Sequence, residues 1–245
     1  LDGSTNPRPV TNQATFIQWL TDGFDNGGNA QNNFTNISVS NFIKTGDRIQ
    51  CNLTATGTDL SLAYNNLTIL GKIGNLIGLQ NLDLSNNLFT NFESVEVLPS
   101  TLRSLTLNGN QIITFSPFNP LPNGLQTINL VGNNLNTFPS LTWPTGLQNL
   151  YIGQNPFVSF QPNGTLPSGL TWLDLESGSL QVFAPLSPLP ASLQTIALGN
   201  NDLTTLSYGA SEAWANAQPS FTSLCTIYFS GNINSVTGTN LETIL

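Results

Sequence analysis

The chain has 245 residues and a formal net charge of −8, and only 7 % of its residues are charged, against a usual proportion of about 25 %. Its five basic residues are too few to form the positive stripe that a phosphate backbone requires, so the composition argues against nucleic-acid binding. No apolar run approaches the roughly 18 residues of a membrane span, and we expect no membrane insertion. Because histidine is absent, Ser-His-Asp nucleophiles and most zinc sites are excluded, and we expect neither a metal nor a cofactor.

Residues 1–56 do not follow the spacing found in the rest of the chain, and we expect them to cap the N-terminal end of a repeat array. Residues 15–20 are amphipathic and favour a short helix. Ile49, Cys51 and Leu53 alternate with polar residues, which predicts a strand that pairs with the first repeat.

Residues 57–234 carry the pattern L-x-x-L-x-L-x-x-N-x-L about eight times, at intervals of 22 or 23 residues and one of 31. The alternating leucines place two apolar side chains on one face of a short strand, and stacked strands of this kind form a parallel sheet over a core. The asparagine follows the strand, where its amide can donate to and accept from the backbone of a bend. Stacked copies predict an asparagine ladder of Asn65, Asn87, Asn110, Asn133, Asn155, Asn201 and Asn232.

A second apolar column follows each asparagine and is expected to fill the wide part of each coil. It contains Leu70, Phe92, Phe115, Phe138, Phe160, Phe183 and Leu206. Several return segments that follow have an apolar residue at every third position and end in Pro-x-x-Leu, as at 122–125. This is the period of polyproline II, and proline does not sustain a helix there, so the returns are predicted to be non-helical.

The 31-residue interval contains an insertion at about 207–223, in which residues 210–217 favour two turns of helix. The insertion either forms part of a binding face or adds packing contacts near the C-terminal end. Residues 235–245 are too few for a convincing cap, so we expect a short cap, a continuation of the chain or a partner that covers this end. Cys51 and Cys225 lie at opposite ends of the array, more than about 30 Å apart, which predicts two free thiols.

The leucine and asparagine spacing over residues 57–234 resembles the leucine-rich-repeat family, and the Pro-x-x-Leu returns resemble its short bacterial or phage-like (LPxxL) type. The resemblance is specific for fold and unspecific for function. It implies a curved α/β-type solenoid dominated by β-structure. Short parallel strands would lie on the concave face, and polyproline or turn-like returns on the convex face.

The outward strand positions, which would form the concave face, are mostly small and neutral. Repeats five and six differ, because they bring aromatic, carboxylate and amide groups onto neighbouring strands, and repeat six has Gly178 in place of the ladder asparagine. Aromatic residues beside hydrogen-bonding groups are typical of binding hot spots and also suit a sugar ring. The predicted ligand-binding residues are Asn149, Tyr151, Trp172, Asp174, Glu176 and, two strands further on, Tyr228. The alternative is that Trp172 lies flat on its own sheet.

A catalytic role would rest on Asp174 and Glu176, which are two residues apart on one strand face, at about 7 Å. That separation is compatible with an inverting glycosidase, whose carboxylates lie about 6.5–9.5 Å apart. An open sheet, however, offers no pocket to raise the pKa of one carboxylate. We therefore predict that the chain is not an enzyme.

The repeat pattern, the low charge and the Asn-, Thr- and Ser-rich surface look like those of bacterial or phage surface proteins. They favour a non-enzymatic recognition module on a virion, on a cell surface or elsewhere outside the cell, with a protein or a glycan as its partner. A structural component of a phage particle or surface layer, with contacts through its ends and convex face, is one alternative. A secreted bacterial effector, a use that the resemblance implies, is another.

Overall fold

The computed structural model describes residues 59–64, 68, 78–92, 97–117, 119–162, 165–185, 187, 189–206 and 226–232, and the backbone of two strands before them. In chain order the strands are β1 (Phe42–Thr45), β2 (Arg48–Cys51), β3 (Asp59–Ser61), β4 (Asn81–Asp83), β5 (Ser104–Thr106), β6 (Thr127–Asn129), β7 (Asn149–Tyr151), β8 (Ser159–Phe160), β9 (Trp172–Asp174), β10 (Val182–Phe183), β11 (Thr195–Ala197), β12 (Thr205–Leu206) and β13 (Thr226–Tyr228). They form three separate sheets.

The main sheet contains eight parallel strands in the order β3-β4-β5-β6-β7-β9-β11-β13, so each repeat contributes one strand. The register is constant from one repeat to the next, and Leu82 pairs with Leu105, which pairs with Ile128. Each of these three residues is at most 1 % exposed, because the L-x-L alternation directs the leucines to the inner face of the sheet. The predicted parallel solenoid is therefore confirmed.

The phenylalanine column lies inside the solenoid, as predicted. The rings of Phe92 and Phe115 stack with centroids 5.4 Å apart, and those of Phe160 and Phe183 stack at 4.9 Å with an angle of 6° between their planes. Phe138 meets Phe160 edge-on at 4.7 Å. Such aromatic contacts add about 0.5–1.5 kcal/mol each to the free energy of area burial. The side chains at the two ends of the predicted column, at 70 and 206, lie outside the described part of the chain.

The asparagine ladder is also confirmed. The Nδ2 group of Asn133 donates to the carbonyl oxygens of Leu130 (2.9 Å) and Leu107 (3.0 Å), and its Oδ1 accepts from the N–H of Ile112 (3.0 Å). One amide thus satisfies backbone groups of two successive repeats. The same donor pattern recurs at Asn87, Asn110, Asn155, Asn201 and Asn232. Asn65 lies outside the described residues.

The residue before each ladder position has a positive φ, between 52° and 78°, in all eight repeats. These residues are Tyr64, Asn86, Gly109, Gly132, Gln154, Ser177, Asn200 and Gly231. The N–H groups of the first seven continue the inter-repeat ladder, as in the bond of 2.9 Å from Gly109 to the carbonyl of Val131. Glycine and asparagine tolerate this left-handed backbone, whereas other residues in it are strained by roughly 1–2 kcal/mol.

The described parts of the returns contain no helix, in agreement with the sequence prediction. Strands β8, β10 and β12 form a second parallel sheet there, in which Ser159, Val182 and Thr205 are in register. A bridge between Asn91 and Thr114 aligns two earlier returns in the same way. The repeat spacing does not predict this sheet, whose strands are two residues long.

One strand of the N-terminal region pairs differently from the prediction. The strand expected around Ile49 and Cys51 is present as β2, but it pairs antiparallel with β1 in a separate two-stranded sheet rather than with the first repeat. Only Gly46 and Asp47 separate β1 from β2, and a Gly-Asp pair between two alternating runs is a hairpin signal with a small closure entropy.

Several predictions fall outside the described part of the chain. They are the helix at 15–20, the insertion at 207–223, the C-terminal residues 235–245 and the environment of Cys225. The cap boundaries and the two free thiols therefore stay predictions.

Candidate ligand-binding site on the concave face

The six predicted site residues lie at outward positions of the main sheet, which is the concave face of the solenoid. In the parallel register Asn149 pairs with Trp172, and Tyr151 pairs with Asp174. Asp174 pairs in turn with Ala197, which pairs with Tyr228. The structure therefore brings Asn149, Tyr151, Trp172, Asp174 and Glu176 together and places Tyr228 two strands from Asp174, as the sequence register predicted. We call Tyr151, Trp172, Asp174 and Glu176 the aromatic–acidic patch.

The two aromatic side chains of the patch are in contact. Their ring centroids lie 6.4 Å apart, and their planes make an angle of 40°. Trp172 and Tyr151 are diagonal neighbours on adjacent strands, a separation that large rings can bridge. The Nε1 atom of Trp172 is buried and has no hydrogen-bond acceptor within the described ranges. The exposed part of the partly buried Trp172 side chain is therefore carbon.

One side-chain oxygen of Asp174 accepts a hydrogen bond within a local turn. Its Oδ1 accepts a hydrogen bond of 2.9 Å from the N–H of Glu176. Asp83 and Asn129, at the same position of their repeats, make the same bond two residues ahead, at 2.9 and 3.0 Å. This bond is therefore a feature of the repeat that either aspartate or asparagine provides.

Burial raises the pKa of Asp174 above its usual value of 3.8, and the hydrogen bond from Glu176 N–H only partly offsets that shift. An open sheet is expected to offer no pocket that raises the pKa of one carboxylate, and Asp174 departs from that expectation. The cause is desolvation by close neighbours, since Asp174 lies between Tyr151 and Ala197 in the register, and Ala197 is only 3 % exposed.

Glycines in the flanking repeats make room for both carboxylates. A Cβ atom at Gly153 would lie 3.1 Å from Asp174 Oδ1, and one at Gly199 would lie 3.1 Å from Glu176 Oε1. Asp174 therefore leans toward repeat five and Glu176 toward repeat seven. Two carboxylates that lean toward opposite neighbours are poorly placed to act on one bond.

Strand β11 lies next to the strand that carries most of the patch, between β9 and β13. Its outward residues Thr195 and Ala197 are 8 % and 3 % exposed, whereas the outward residues of β5, β6 and β7 are only partly buried. The sequence register identified Thr195 and Ala197 as outward residues but gave no sign that they are buried. The outward side chains of β11 are thus covered by their neighbours, whereas the side chain of Tyr228 on the next strand, β13, is 48 % exposed.

A recess of about 730 Å³ lies elsewhere, between the returns of repeats four and five. Repeat four is 22 residues long and has the buried Trp143 before Pro144, where the next two repeats have Leu166-Pro167 and Leu189-Pro190. The recess is lined by Leu141, Trp143, Leu166 and the hydroxyl-bearing Ser140, Thr142 and Thr165, among others. The repeat spacing does not predict this recess.

Metal-binding clusters and membrane-spanning helices are both absent from the described part of the chain. No group of three or more His, Cys, Asp or Glu side chains in it is close enough to hold a metal ion. No helix in it is long and apolar enough to cross a membrane.

Several solved structures resemble this chain, whereas no protein-family model and no curated protein matches its sequence. YopM from Yersinia enterocolitica superimposes with a TM-score of 0.54 and 24 % identity, over 76 % of this chain and 36 % of that one. YopM from Yersinia pestis, described as a leucine-rich effector protein, gives 0.50 and 25 %, over 74 % of this chain and 51 % of that one. A Shigella effector LRR domain gives 0.45 and 24 %, over 71 % and 81 %.

The constant parallel register, the asparagine ladder and these similarities define the chain as a leucine-rich-repeat solenoid dominated by β-structure. Its alignment spans about a third to a half of the two YopM structures.

Proposed function

We propose that the chain is a non-enzymatic recognition module that binds a protein or a glycan on its concave face. The observation that carries this proposal is the aromatic–acidic patch, where exposed aromatic carbon adjoins a desolvated carboxylate. The rest of the concave face offers mainly small neutral side chains, and binding energy concentrates at aromatic anchors of this kind. The proposed binding residues are Asn149, Tyr151, Trp172, Asp174, Glu176 and Tyr228.

The fold supports this role because it presents these side chains on a rigid surface. They project from strands in constant register, and the backbone bonds between repeats continue beyond the strand ends, as from Gln154 N–H to the carbonyl of Glu176 at 2.7 Å. Sites on regular elements hold their geometry better than sites on loops. Such a surface binds with little loss of conformational entropy.

The module is proposed to act outside the cell, on a cell surface or on a virion surface. A surface built from amides and hydroxyls, with few charges, fits that setting. A second candidate is a secreted effector, because the similar YopM from Yersinia pestis is described as an effector protein.

We also propose a partner at the C-terminal end of the array. Light scattering on the isolated chain would show whether that partner is a second copy of the chain.

The test compares two double variants on a glycan array and against a displayed random-peptide library. Tyr151→Ala with Trp172→Ala removes the aromatic pair. Ser104→Ala with Thr106→Ala changes the equivalent outward positions of repeat three and serves as the matched control. We expect the first variant to lose the binder that the native chain and the control retain. Equal binding by all three proteins, or no binder from either library, would contradict the proposed site. Hydrolysis of any arrayed glycan would contradict the non-enzymatic role.

A further inference from the structure

We propose that the ligand of the concave face is a protein segment that presents an arginine side chain to the aromatic–acidic patch. The guanidinium group would lie against the exposed carbon of Trp172 and Tyr151 and donate to the carboxylate of Asp174. This inference rests on the proposed function, since it specifies the ligand of the same site.

Charge complementarity is the first reason. Asp174 and Glu176 add two negative charges to a small area of a chain whose net charge is −8. Arg103 is the one basic residue whose side chain is described, and its Nη1 donates to the carbonyl oxygen of Gly124 at 2.9 Å, between repeats three and four. Among the described side chains, therefore, none supplies a cation to the patch, and a cationic ligand would complement its charge.

The environment of Asp174 is the second reason. Its Oδ1 is bonded to Glu176 N–H, and no other described group donates to the carboxylate, so Oδ2 is available. A partly buried carboxylate gains more from a cation than an exposed one, because water screens the attraction less. Hydrogen bonds between ionised partners are also about twice as strong as those between neutral partners.

The aromatic pair is the third reason, and it favours arginine over lysine. A cation within about 6 Å of a ring centroid is attracted to the ring face, most strongly to that of tryptophan. Because Nε1 of Trp172 is buried, the surface that the indole offers is π-electron carbon rather than a hydrogen-bond donor. A planar guanidinium can stack on this surface and still direct its N–H edge at a carboxylate, which an ammonium group cannot do.

A glycan would also stack on the ring pair, and its hydroxyls can donate to carboxylates. A neutral sugar would nevertheless leave both negative charges of the patch uncompensated, whereas an arginine neutralises one of them. A peptide that crosses the strands from Asp174 past Ala197 would reach the half-exposed side chain of Tyr228, about 10 Å from Asp174 across two strand steps. The geometry therefore favours a protein segment.

The test starts from a random-peptide library panned on the full chain. We expect the enriched peptides to share an arginine. Replacing that arginine with citrulline, which keeps the shape and removes the charge, should weaken binding by at least about tenfold. Replacement with lysine should weaken it less.

A matched pair of protein variants tests whether Asp174 is the carboxylate that selects arginine over citrulline. Asp174→Asn and Asp83→Asn each remove one charge and each keep the turn bond, which Asn129 shows an asparagine can make. We expect only Asp174→Asn to abolish the preference for arginine over citrulline, with circular dichroism confirming that both variants fold. Equal losses in the two variants would mean general electrostatic attraction and would overturn the proposal.

The outcomes also separate this inference from the proposed function. If Tyr151→Ala with Trp172→Ala abolishes peptide binding while citrulline and Asp174→Asn leave it intact, the concave face is a binding site and the arginine assignment is wrong. Selective binding of a glycan at the patch, with no enriched peptide, would likewise overturn the arginine assignment and leave the binding face in place.

Discussion

The side-chain oxygen of Asn133 accepts a hydrogen bond of 3.0 Å from the backbone N–H of Ile112, which belongs to the preceding repeat. Asn155 has the same relation to Leu135, at 3.0 Å. Each asparagine therefore completes the turn of the repeat before it, and the bond also fixes the distance between consecutive coils.

Replacing Asn133 with alanine should lower the free energy of unfolding by about 1–3 kcal/mol, because it leaves the buried N–H of Ile112 without an acceptor. Urea denaturation of the purified variant measures this loss. The adjacent Asn134 is exposed, and Asn134→Ala should change stability by no more than about 0.5 kcal/mol. Similar losses in the two variants would show that the ladder bond contributes little.

Gly178 should resist replacement by the asparagine that the repeat pattern predicts. A Cβ atom there would lie 2.8 Å from the carbonyl oxygen of Asn155, which is backbone and cannot move freely. Asn201 Oδ1 also accepts directly from Gly178 N–H, at 3.1 Å. We expect Gly178→Asn and Gly178→Ala each to destabilise the fold by about 1–3 kcal/mol in urea.

Gly169→Ala is the control for this prediction, because a Cβ atom at Gly169 would meet its nearest neighbours at ordinary contact distances of 3.8 and 3.9 Å. It should leave the unfolding midpoint nearly unchanged. A more stable Gly178→Asn variant would show that repeat six relaxes to accept a regular ladder.

The left-handed residue before each ladder position provides a test of backbone strain. Ser177 has a φ of 57°, and Ser177→Gly should raise the free energy of unfolding by about 0.5–1 kcal/mol, since the relieved strain exceeds the added entropy of the unfolded chain. Gly132→Ala should lower it by about 1 kcal/mol through strain alone, because the nearest atom to its Cβ would be 3.7 Å away. Thermal and urea unfolding check both signs, and changes in the same direction would rule out this account.

Asp174 should make stability depend on pH in a defined direction. Its folded-state pKa is raised above 3.8 by burial, so the native state holds the proton more tightly than the unfolded state does. Stability from this residue is present below pH 3.8 and is lost as the pH rises from 3.8 through the folded-state pKa. Tyr151, Glu176 and Ala197 lie next to it, and Glu176 is the one acidic residue among these three.

Asp174→Asn removes that titration and keeps the turn bond. The stability of the variant relative to the native chain should therefore rise with pH across this interval, as measured by urea denaturation at a series of pH values. Asp83→Asn shows how much of any change comes from loss of one negative charge. A constant difference at all pH values would mean that Asp174 is not desolvated.

Much of the fold follows from the leucine and asparagine spacing alone. A fixed interval of 22 or 23 residues places Leu82, Leu105 and Ile128 in one row, because a parallel register that slipped by one residue would turn every leucine outward. The same register located the site residues correctly relative to one another. The left-handed turns also had a sequence signal, since five of those eight positions are glycine or asparagine.

Other features depend on contacts between repeats, which spacing does not specify. The burial of Thr195 and Ala197 and the desolvation of Asp174 arise from the side chains packed beside them. The buried Nε1 of Trp172 depends on the tilt of its ring, which no sequence pattern sets. The alternation of residues 49–53 predicts a strand but not its partner, whereas the Gly-Asp pair before it favours the hairpin of β1 and β2.

Each described ladder asparagine bonds only to its own repeat and to the one before it, as Asn133 does. Within the described residues, no hydrogen bond of the ladder therefore joins distant repeats. Excising one whole unit, such as residues 102–124, would bring Leu125 and its strand to the place that Leu102 and β5 now occupy beside β4. Gene duplication or deletion in steps of one unit can therefore lengthen or shorten the molecule, while the aromatic–acidic patch, confined to repeats five and six, is inherited intact.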